Sequence, residues 1–400
     1  MDVEELRPVL TPEGLRLLAE VAGAPDLDDV VRAVSRLRAA GHPPELVAAV
    51  LTQARLRRRA VGRFGPFAER MLFTPDGLEQ ATRLRVAAIH AGRFAASGAR
   101  HVADLGSGIG ADALALAGLG MRVTAVERDE ATAAVAAFNL APFPDARVVH
   151  AAAEEADLSD VDAVWADPAR RGGGRRLSDP ADWSPSLAFL FGLSDRLPVG
   201  VKLAPGLDRD LVPPDAEAQW VSDGRELVET TVWTGSLARP GIRRAALVLS
   251  PTGAAELTAA SDTEDEPAGD LGGWLYEPDP AIIRSRLIGE VARSVGGRML
   301  DPTIAWITAD RPVATPFAQR FAVEAEFPLD LRVLRRELRT RGIGTLEIKT
   351  RGVDLDPAET RRRLAPRGPE SRTLVLTRRG ARRTAILTRR EDEGNDQPPL

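Results

Sequence analysis

Apolar and polar positions alternate in three textures along the chain. Over residues 1–97 apolar side chains recur at three- and four-residue spacing, as in Leu15-Arg-Leu-Leu-Ala-Glu-Val21 and Val30-Val-Arg-Ala-Val-Ser-Arg-Leu37, with a turn at Gly41-His-Pro-Pro44 and a further helix from Pro44 to about Val61. That period buries one stripe of each helix, so the region predicts a helical N-terminal domain. Over 98–250 short apolar runs alternate with helical periods. Strands are expected near 101–105, 122–126, 146–150, 162–166, 199–203 and 218–222, and helices near 110–119, 130–140 and 183–196. Such alternation predicts an α/β fold with a doubly wound parallel sheet. Glu226–Trp233 and Arg243–Leu249 are expected to close it as an antiparallel hairpin, since only a turn separates them.

The pattern breaks at 251–272, where Ser261-Asp-Thr-Glu-Asp-Glu-Pro-Ala-Gly-Asp270 is acidic and poor in apolar groups and predicts a linker or mobile loop. Periodicity resumes over 273–390 as an α+β domain. A helix is expected at about 280–295, extended segments near 304–308 and 319–327, helices at 329–341 and 356–364, and strands at 344–350, 373–378 and 383–388. Residues 391–400 predict a disordered tail.

Length and composition narrow this picture. A chain of 400 residues is long enough for two or three units, each with its own core. The sequence contains no apolar run of membrane-spanning length, and its first residues, Met1-Asp2-Val3-Glu4-Glu5, are acidic, so the expectation is a cytoplasmic protein with no membrane partner. Cysteine is absent and the histidines His42, His90, His101 and His150 are scattered, so no metal is expected. The net charge of -5 conceals an asymmetry: residues 331–390 hold eighteen Arg or Lys against six Asp or Glu. Lys202 and Lys349 are the only lysines in the chain, so nearly all of these cations are guanidinium groups, which suit phosphate. The cluster is the footprint of a nucleic-acid module. No aromatic residue lies beyond Asp330, so the expected recognition is of backbone and folded shape rather than stacked bases.

Chemistry concentrates where the first strand of the central region ends, in Asp104-Leu-Gly-Ser-Gly-Ile-Gly110. A dinucleotide loop has G-x-G-x-x-G spacing and holds a pyrophosphate. Here Gly106, Gly108 and Gly110 alternate and a carboxylate precedes them. An acid beside the loop repels phosphate and suits an ammonium, while glycine lets a ligand lie on the backbone around Ser107. Glu127, at the end of the second strand, occupies the position from which an acid takes both hydroxyls of a ribose, with Arg128 beside the base and Glu154 placed to accept from its amino group. The fourth strand runs into Asp167-Pro168-Ala169-Arg170-Arg171, followed by Gly172-Gly-Gly174. Asp167 there can accept a hydrogen bond from a nucleophilic N–H and fix its orientation. Arg170, Arg171 and Lys202, the last at the end of the fifth strand, are candidates for acceptor contact in the same crevice.

Phe73-Thr-Pro-Asp-Gly-Leu-Glu-Gln-Ala-Thr82, the Asp104 glycine loop, Asp167-Pro-Ala-Arg-Arg171, Glu277-Pro-Asp-Pro280 and Arg341-Gly-Ile-Gly-Thr-Leu-Glu-Ile-Lys349 together resemble bacterial class I methyltransferases that carry a C-terminal THUMP-like domain. The resemblance implies S-adenosylmethionine as methyl donor, bound through Asp104, Gly106, Ser107, Gly108, Gly110, Glu127, Arg128 and Glu154. It implies Asp167, Pro168 and Arg170 as catalytic residues and an RNA, tRNA or rRNA, as acceptor. The chain departs from the amino-methylating pattern at Ala169, which replaces a second proline, and at Arg170, which replaces an aromatic residue. Two alternatives are a methyltransferase acting on a small molecule or protein, and a non-catalytic RNA-binding protein on the same scaffold. An NAD dehydrogenase is disfavoured by the glycine spacing.

Overall fold

The computed structural model describes residues 2–24, 29–169, 171–172, 175–176 and 182–391. Two compact units share the chain: Met1–Leu203 with Asp208–Ala216 and Thr231–Arg239, and Ala204–Leu207 with Glu217–Thr230 and Pro240–Leu400. Among the described residues no helix is long and apolar enough to cross a membrane.

The first unit opens with α1 (Val3–Leu6), α2 (Pro12–Ala22), α3 (Val30–Ala39) and α4 (Pro44–Phe64). Their starts follow from local chemistry. Asp2 and Glu5 form a reciprocal capping box on α1, Thr11 caps α2 ahead of Pro12, and Pro44 begins α4 with its missing N–H where none is needed. On the buried face of α4, the Gln53 amide donates to the Phe73 carbonyl at 2.7 Å and accepts from its N–H at 3.0 Å. This pair pins the chain before α5 (Pro75–Gln80) and α6 (Leu84–Ala96).

Five parallel strands follow: β1 (His101–Leu105), β2 (Arg122–Glu127), β3 (Ala146–His150), β4 (Ala163–Ala166) and β5 (Val199–Leu203), in the order β3-β2-β1-β4-β5. The connecting helices are α7 (Ala111–Gly118), α8 (Glu130–Leu140) and α9 (Leu187–Leu193). Winding reverses between β1 and β4, which opens a crevice at the strands' C-terminal ends. The expected boundary at residue 97 is not a boundary of packing. One hydrophobic cluster runs from Leu6 and Val50 through Phe94 and Val102 to Trp165 and Trp233. Asn139 of α8 reinforces it, bonding the Leu72 N–H and the Leu72 and Ile109 carbonyls.

In the second unit, β6 (Glu217–Asp223) turns through Gly224 (φ 60°) and Arg225 (φ 67°) into β7 (Glu226–Trp233), its neighbour in the sheet, whose last residues belong to the first unit. Two positive φ values suit the tight turn of a hairpin. The closing hairpin therefore lies one strand earlier than the pattern suggests. β8 (Arg244–Ser250) runs parallel to β6, and β9 (Gly253–Ala259) pairs antiparallel with β8. The acidic stretch expected as a linker thus begins as a strand, and its remainder is tied down. Asp262 pairs with Arg244 at 2.8 Å, Glu266 pairs with Arg293 at 2.8 Å, and Thr263 donates twice to the Arg286 carbonyl. The Thr263 bonds take a carbonyl which a continuous helix would use internally. Arg286 adopts φ 62°, and the single helix expected at 280–295 is two, α10 (Pro280–Ser285) and α11 (Ile288–Ser294).

A seven-stranded sheet completes this unit, with β10 (Trp274–Pro278), β11 (Arg298–Asp301), β12 (Ile304–Ala309), β13 (Ala318–Pro328), β14 (Ile343–Thr350), β15 (Glu370–Arg379) and β16 (Arg382–Arg390). Their order is β11-β12-β10-β13-β16-β15-β14, antiparallel except for the β14–β15 pair. α12 (Leu331–Thr340) and α13 (Pro357–Leu364) cover it through Leu334, Leu338 and Leu364, which share a core with Ile343, Leu374 and Leu387. Glu391, the first residue of the expected tail, pairs with Arg320 at 3.1 Å, and the rest of that tail lies outside the described residues.

Candidate functional site

The site begins with the burial of β1. Asp104 is 1% exposed, and neither of its carboxylate oxygens has a hydrogen-bond partner among the described residues. Burial holds its carboxyl well above the usual carboxylate range. The neighbouring charges of Asp112 and Asp167 push it further, against the pull of Lys202. Beyond it, Gly106, Gly108 and Gly110 have φ of 77°, 55° and 86°, a left-handed geometry that favours glycine. Gly106 also meets a steric limit, since a Cβ there would lie 2.9 Å from the Asp167 carbonyl. The turns after β1 and β4 touch at this glycine. Ser107 is buried, and its hydroxyl has no partner among the described residues.

Glu127 closes over the loop, accepting from the Gly108 and Asp129 N–H groups at 2.9 Å each. The structure therefore brings Asp104, Gly106, Ser107, Gly108, Gly110 and Glu127 together. Arg128 and Glu154 are exposed on the connections after β2 and β3. Pro168 is buried behind Asp167, and Ala169 bridges to Ser184. Arg170 lies outside the described residues, and Arg171 is placed only as backbone, in a short ladder of Arg171–Gly172 with Arg175–Arg176.

Lys202 and Asp167 form the second half of the site. The Lys202 ammonium donates to Asp167 Oδ2 at 2.5 Å, to Thr82 Oγ1 at 3.1 Å and to the Gln80 carbonyl at 3.4 Å. Three acceptors among the described residues suit the donors of an ammonium. Among the described residues Lys202 thus pairs with Asp167 and meets two further acceptors of the chain. Thr82 has a single hydroxyl hydrogen, which it donates to Asp112 Oδ2 at 2.6 Å, so it must accept from Lys202. The other Asp112 oxygen lies 2.9 Å from His90 Nδ1. Burial pushes the Asp112 carboxyl up, but the His90 hydrogen bond and charge, the Lys202 charge and the Thr82 hydroxyl outweigh it and hold it below the usual range.

Thr82, His90 and Asp112 escape the sequence reading. Asp112 stands two residues past the glycine loop, in the first turn of α7, where a carboxylate passes for an ordinary helix start. His90 lies on the apolar stripe of α6 with Val86, Ala87, Ala91 and Phe94, and that placement is the one signal of its burial. Its ring packs 4.3 Å from Trp165 and 5.9 Å from Trp233. Gly200 of β5 admits the indoles, because a Cβ there would come within 2.6 Å of Trp233 and 2.9 Å of Trp165.

Residues 318–390 match the family model described as THUMP domain-like, and residues 2–60 match a domain family of unknown function. A putative methyltransferase from Porphyromonas gingivalis W83 has a similar fold, with a TM-score of 0.74 at 21% identity, covering 98% of this chain and 100% of that one. Two curated relatives, from Mycobacterium tuberculosis strains CDC 1551 and H37Rv, are each named an uncharacterized S-adenosylmethionine-dependent methyltransferase. Each is 34% identical over 363 residues, spanning 86% of this chain and 96% of the relative. Identity at that level over nearly the full length, on a sheet with a glycine turn after β1, shows that the chain belongs to the S-adenosylmethionine-dependent methyltransferases.

Proposed function

We propose that the crevice between β1 and β4 is the methyl-transfer site and that its acceptor is an RNA, tRNA or rRNA. One observation carries the site assignment: Asp104 is a fully buried carboxylate with no partner among the described residues, beside three left-handed glycines. Burying such a group unpaired is costly, and the ammonium of a methionine moiety would relieve that cost. Ser107 offers a second unpartnered group, and Glu127 suits the ribose hydroxyls, so the residues present fit S-adenosylmethionine. When bound, that molecule supplies an electrophilic methyl group on a sulfonium.

The chain's own contribution is mainly positioning. The bond from Lys202 limits the rotation of Asp167, and Asp167 accepts a hydrogen bond from the acceptor's N–H or O–H. Gly106 brings the Asp167 backbone against the cofactor loop, which sets the two halves of the site side by side. Such alignment is worth several kcal/mol when near-attack geometry is reached. RNA is favoured by the THUMP-like match at 318–390 and by the arginine concentration in that segment.

Calorimetry and a transfer assay separate the roles. Asp104→Ala is expected to abolish S-adenosylmethionine binding, whereas Asp167→Ala is expected to retain binding and lose transfer. Unchanged affinity in the first variant or full activity in the second removes that residue from its role. Mass spectrometry of tRNA and rRNA nucleosides from wild-type and deletion cells tests the acceptor, and identical methylation profiles in the two strains count against RNA.

A further inference from the structure

Resting on the reading of RNA as acceptor, we infer that the outward faces of α12 and α13 form the surface that docks the phosphate backbone of a folded RNA. The cations of 331–390 divide into two populations. Most of those on the strands are matched by carboxylates, Arg382 and Arg383 at the exposed start of β16 being exceptions among the described residues. Arg372 bonds Glu324 at 2.9 Å, Arg378 lies 3.3 Å from Asp301, Arg379 reaches Asp270 at 2.9 Å and Glu326 at 3.4 Å, and Arg390 holds Glu347 at 2.8 Å. Four of these partners precede residue 331 in the chain, so the tertiary fold neutralises charge that the sequence window leaves uncompensated.

The helices behave differently. α12 carries four arginines to one glutamate and α13 three to one. Arg332, Arg335, Arg336 and Arg339 recur at three- and four-residue spacing, on the side of α12 away from the buried Leu334 and Leu338, and they extend into solvent there. They line a stripe about 10 Å long at the helical rise. Arg335 donates to the Arg363 carbonyl, which joins the end of α13 to this stripe and makes the two helices one face. Among the described residues, Arg332, Arg335, Arg339, Arg361 and Arg362 have no carboxylate ion pair. Exposed guanidinium groups in a row, without internal counter-charge, complement a polyanion.

Folded RNA fits better than a single strand. The face carries no aromatic residue on which an unpaired base could stack, and the nearby Phe327 ring is covered by Arg341 at 5.2 Å. Docking is therefore to phosphates held at fixed spacing by RNA secondary structure.

The test uses the full-length protein and two labelled probes, a tRNA and poly(U), with anisotropy read across a salt series. Wild type is expected to bind tRNA more tightly than poly(U), with affinity falling steeply as salt rises. Combined Arg332→Gln, Arg335→Gln, Arg339→Gln and Arg362→Gln is expected to weaken tRNA binding at least about tenfold and to flatten the logarithmic salt slope by about 3 to 4, or about 0.9 for each phosphate no longer neutralised. Arg332→Gln and Arg339→Gln alone are expected to give proportionate parts of that effect. An unchanged far-UV circular dichroism spectrum and urea midpoint in the combined variant confirm that it folds.

A control pair, Arg382→Gln with Arg383→Gln at the exposed start of β16, next to the β15–β16 turn and away from the two helices in sequence, is expected to change tRNA affinity less than about twofold. Unaltered tRNA binding in the helix variants, or weakening confined to the turn pair, overturns the docking face while leaving RNA as acceptor intact. Absence of salt-dependent RNA binding by wild type overturns both. Displacement of tRNA by polyglutamate as readily as by unlabelled tRNA overturns the RNA assignment of this face in favour of an acidic protein.

Discussion

The two units handle charge in opposite ways. In the first, the carboxylates of Asp104, Asp112, Glu127 and Asp167 act on the same buried region, and Lys202 is the ammonium among them. In the second, Glu277 is the minority charge. It is 13% exposed, with Lys349 at 2.8 Å, Arg225 at 3.1 Å and Arg351 at 3.8 Å around it. An excess of acid in a partly buried crevice suits cationic groups, and an excess of cations around Glu277 suits anionic ones. The sign of the local surplus, more than the number of ion pairs, distinguishes the two units.

The strongest test of this contrast removes the minority charge. Lys202→Met leaves Asp167 and Asp112 without their ammonium and is expected to destabilise the protein by about 3 kcal/mol, the lower end for loss of one partner of a buried ion pair, because Asp167 is 33% exposed. Urea unfolding reads the change, and a shift below about 1 kcal/mol would mean that the acids are compensated elsewhere. Glu277→Gln is the mirror experiment. Its expected cost is smaller, about 1.5–2 kcal/mol for hydrogen bonds to a charged group, because the glutamine oxygen can still accept from Arg225 and Lys349, and Arg351 also bonds the Ala305 carbonyl. Equal costs in the two variants would erase the distinction between the units.

A finer test is the pH dependence of Asp104. Its carboxyl binds a proton more tightly in the folded chain than in the unfolded one, with burial as the first cause. The resulting stability is fully present below about pH 4, the ordinary aspartate value, and is lost as pH rises through the raised folded value. Asp104→Asn removes that titration. Its urea midpoint is expected to gain on wild type steadily from about pH 4 upward, and a difference that is flat with pH would mean that Asp104 is ionised in the unliganded protein.

These contrasts separate what local pattern encodes from what it cannot. The strands β1 to β5 are legible because each is a short apolar run bounded by turns, and the glycine loop because alternating glycines after an acid leave few other readings. Asp167 stands out through the Asp-Pro step at a strand mouth. Its dependence on Lys202 and Thr82 does not, because those groups meet over separations of 35 and 120 residues. The hairpin escapes for a related reason. Closeness in sequence makes β7 and β8 look like partners, while the positive φ of Gly224 and Arg225 joins β6 to β7 instead.

The order of amino acids alone was enough to specify the doubly wound sheet, the glycine turn at Asp104 through Gly110, and the accumulation of arginine in the last domain. All three are properties of neighbouring residues, set by side-chain period, backbone freedom and composition. Which charges remain unmatched is settled by the folded arrangement. Hydrogen bonds and ion pairs act across space at a few ångströms, and chain topology sets which residues come that close. Thus Asp270, Asp301 and Glu324 reach the strand arginines, leaving the helical arginines exposed, while His90, Thr82 and Asp112 are drawn beneath Lys202 to form the buried support of Asp167.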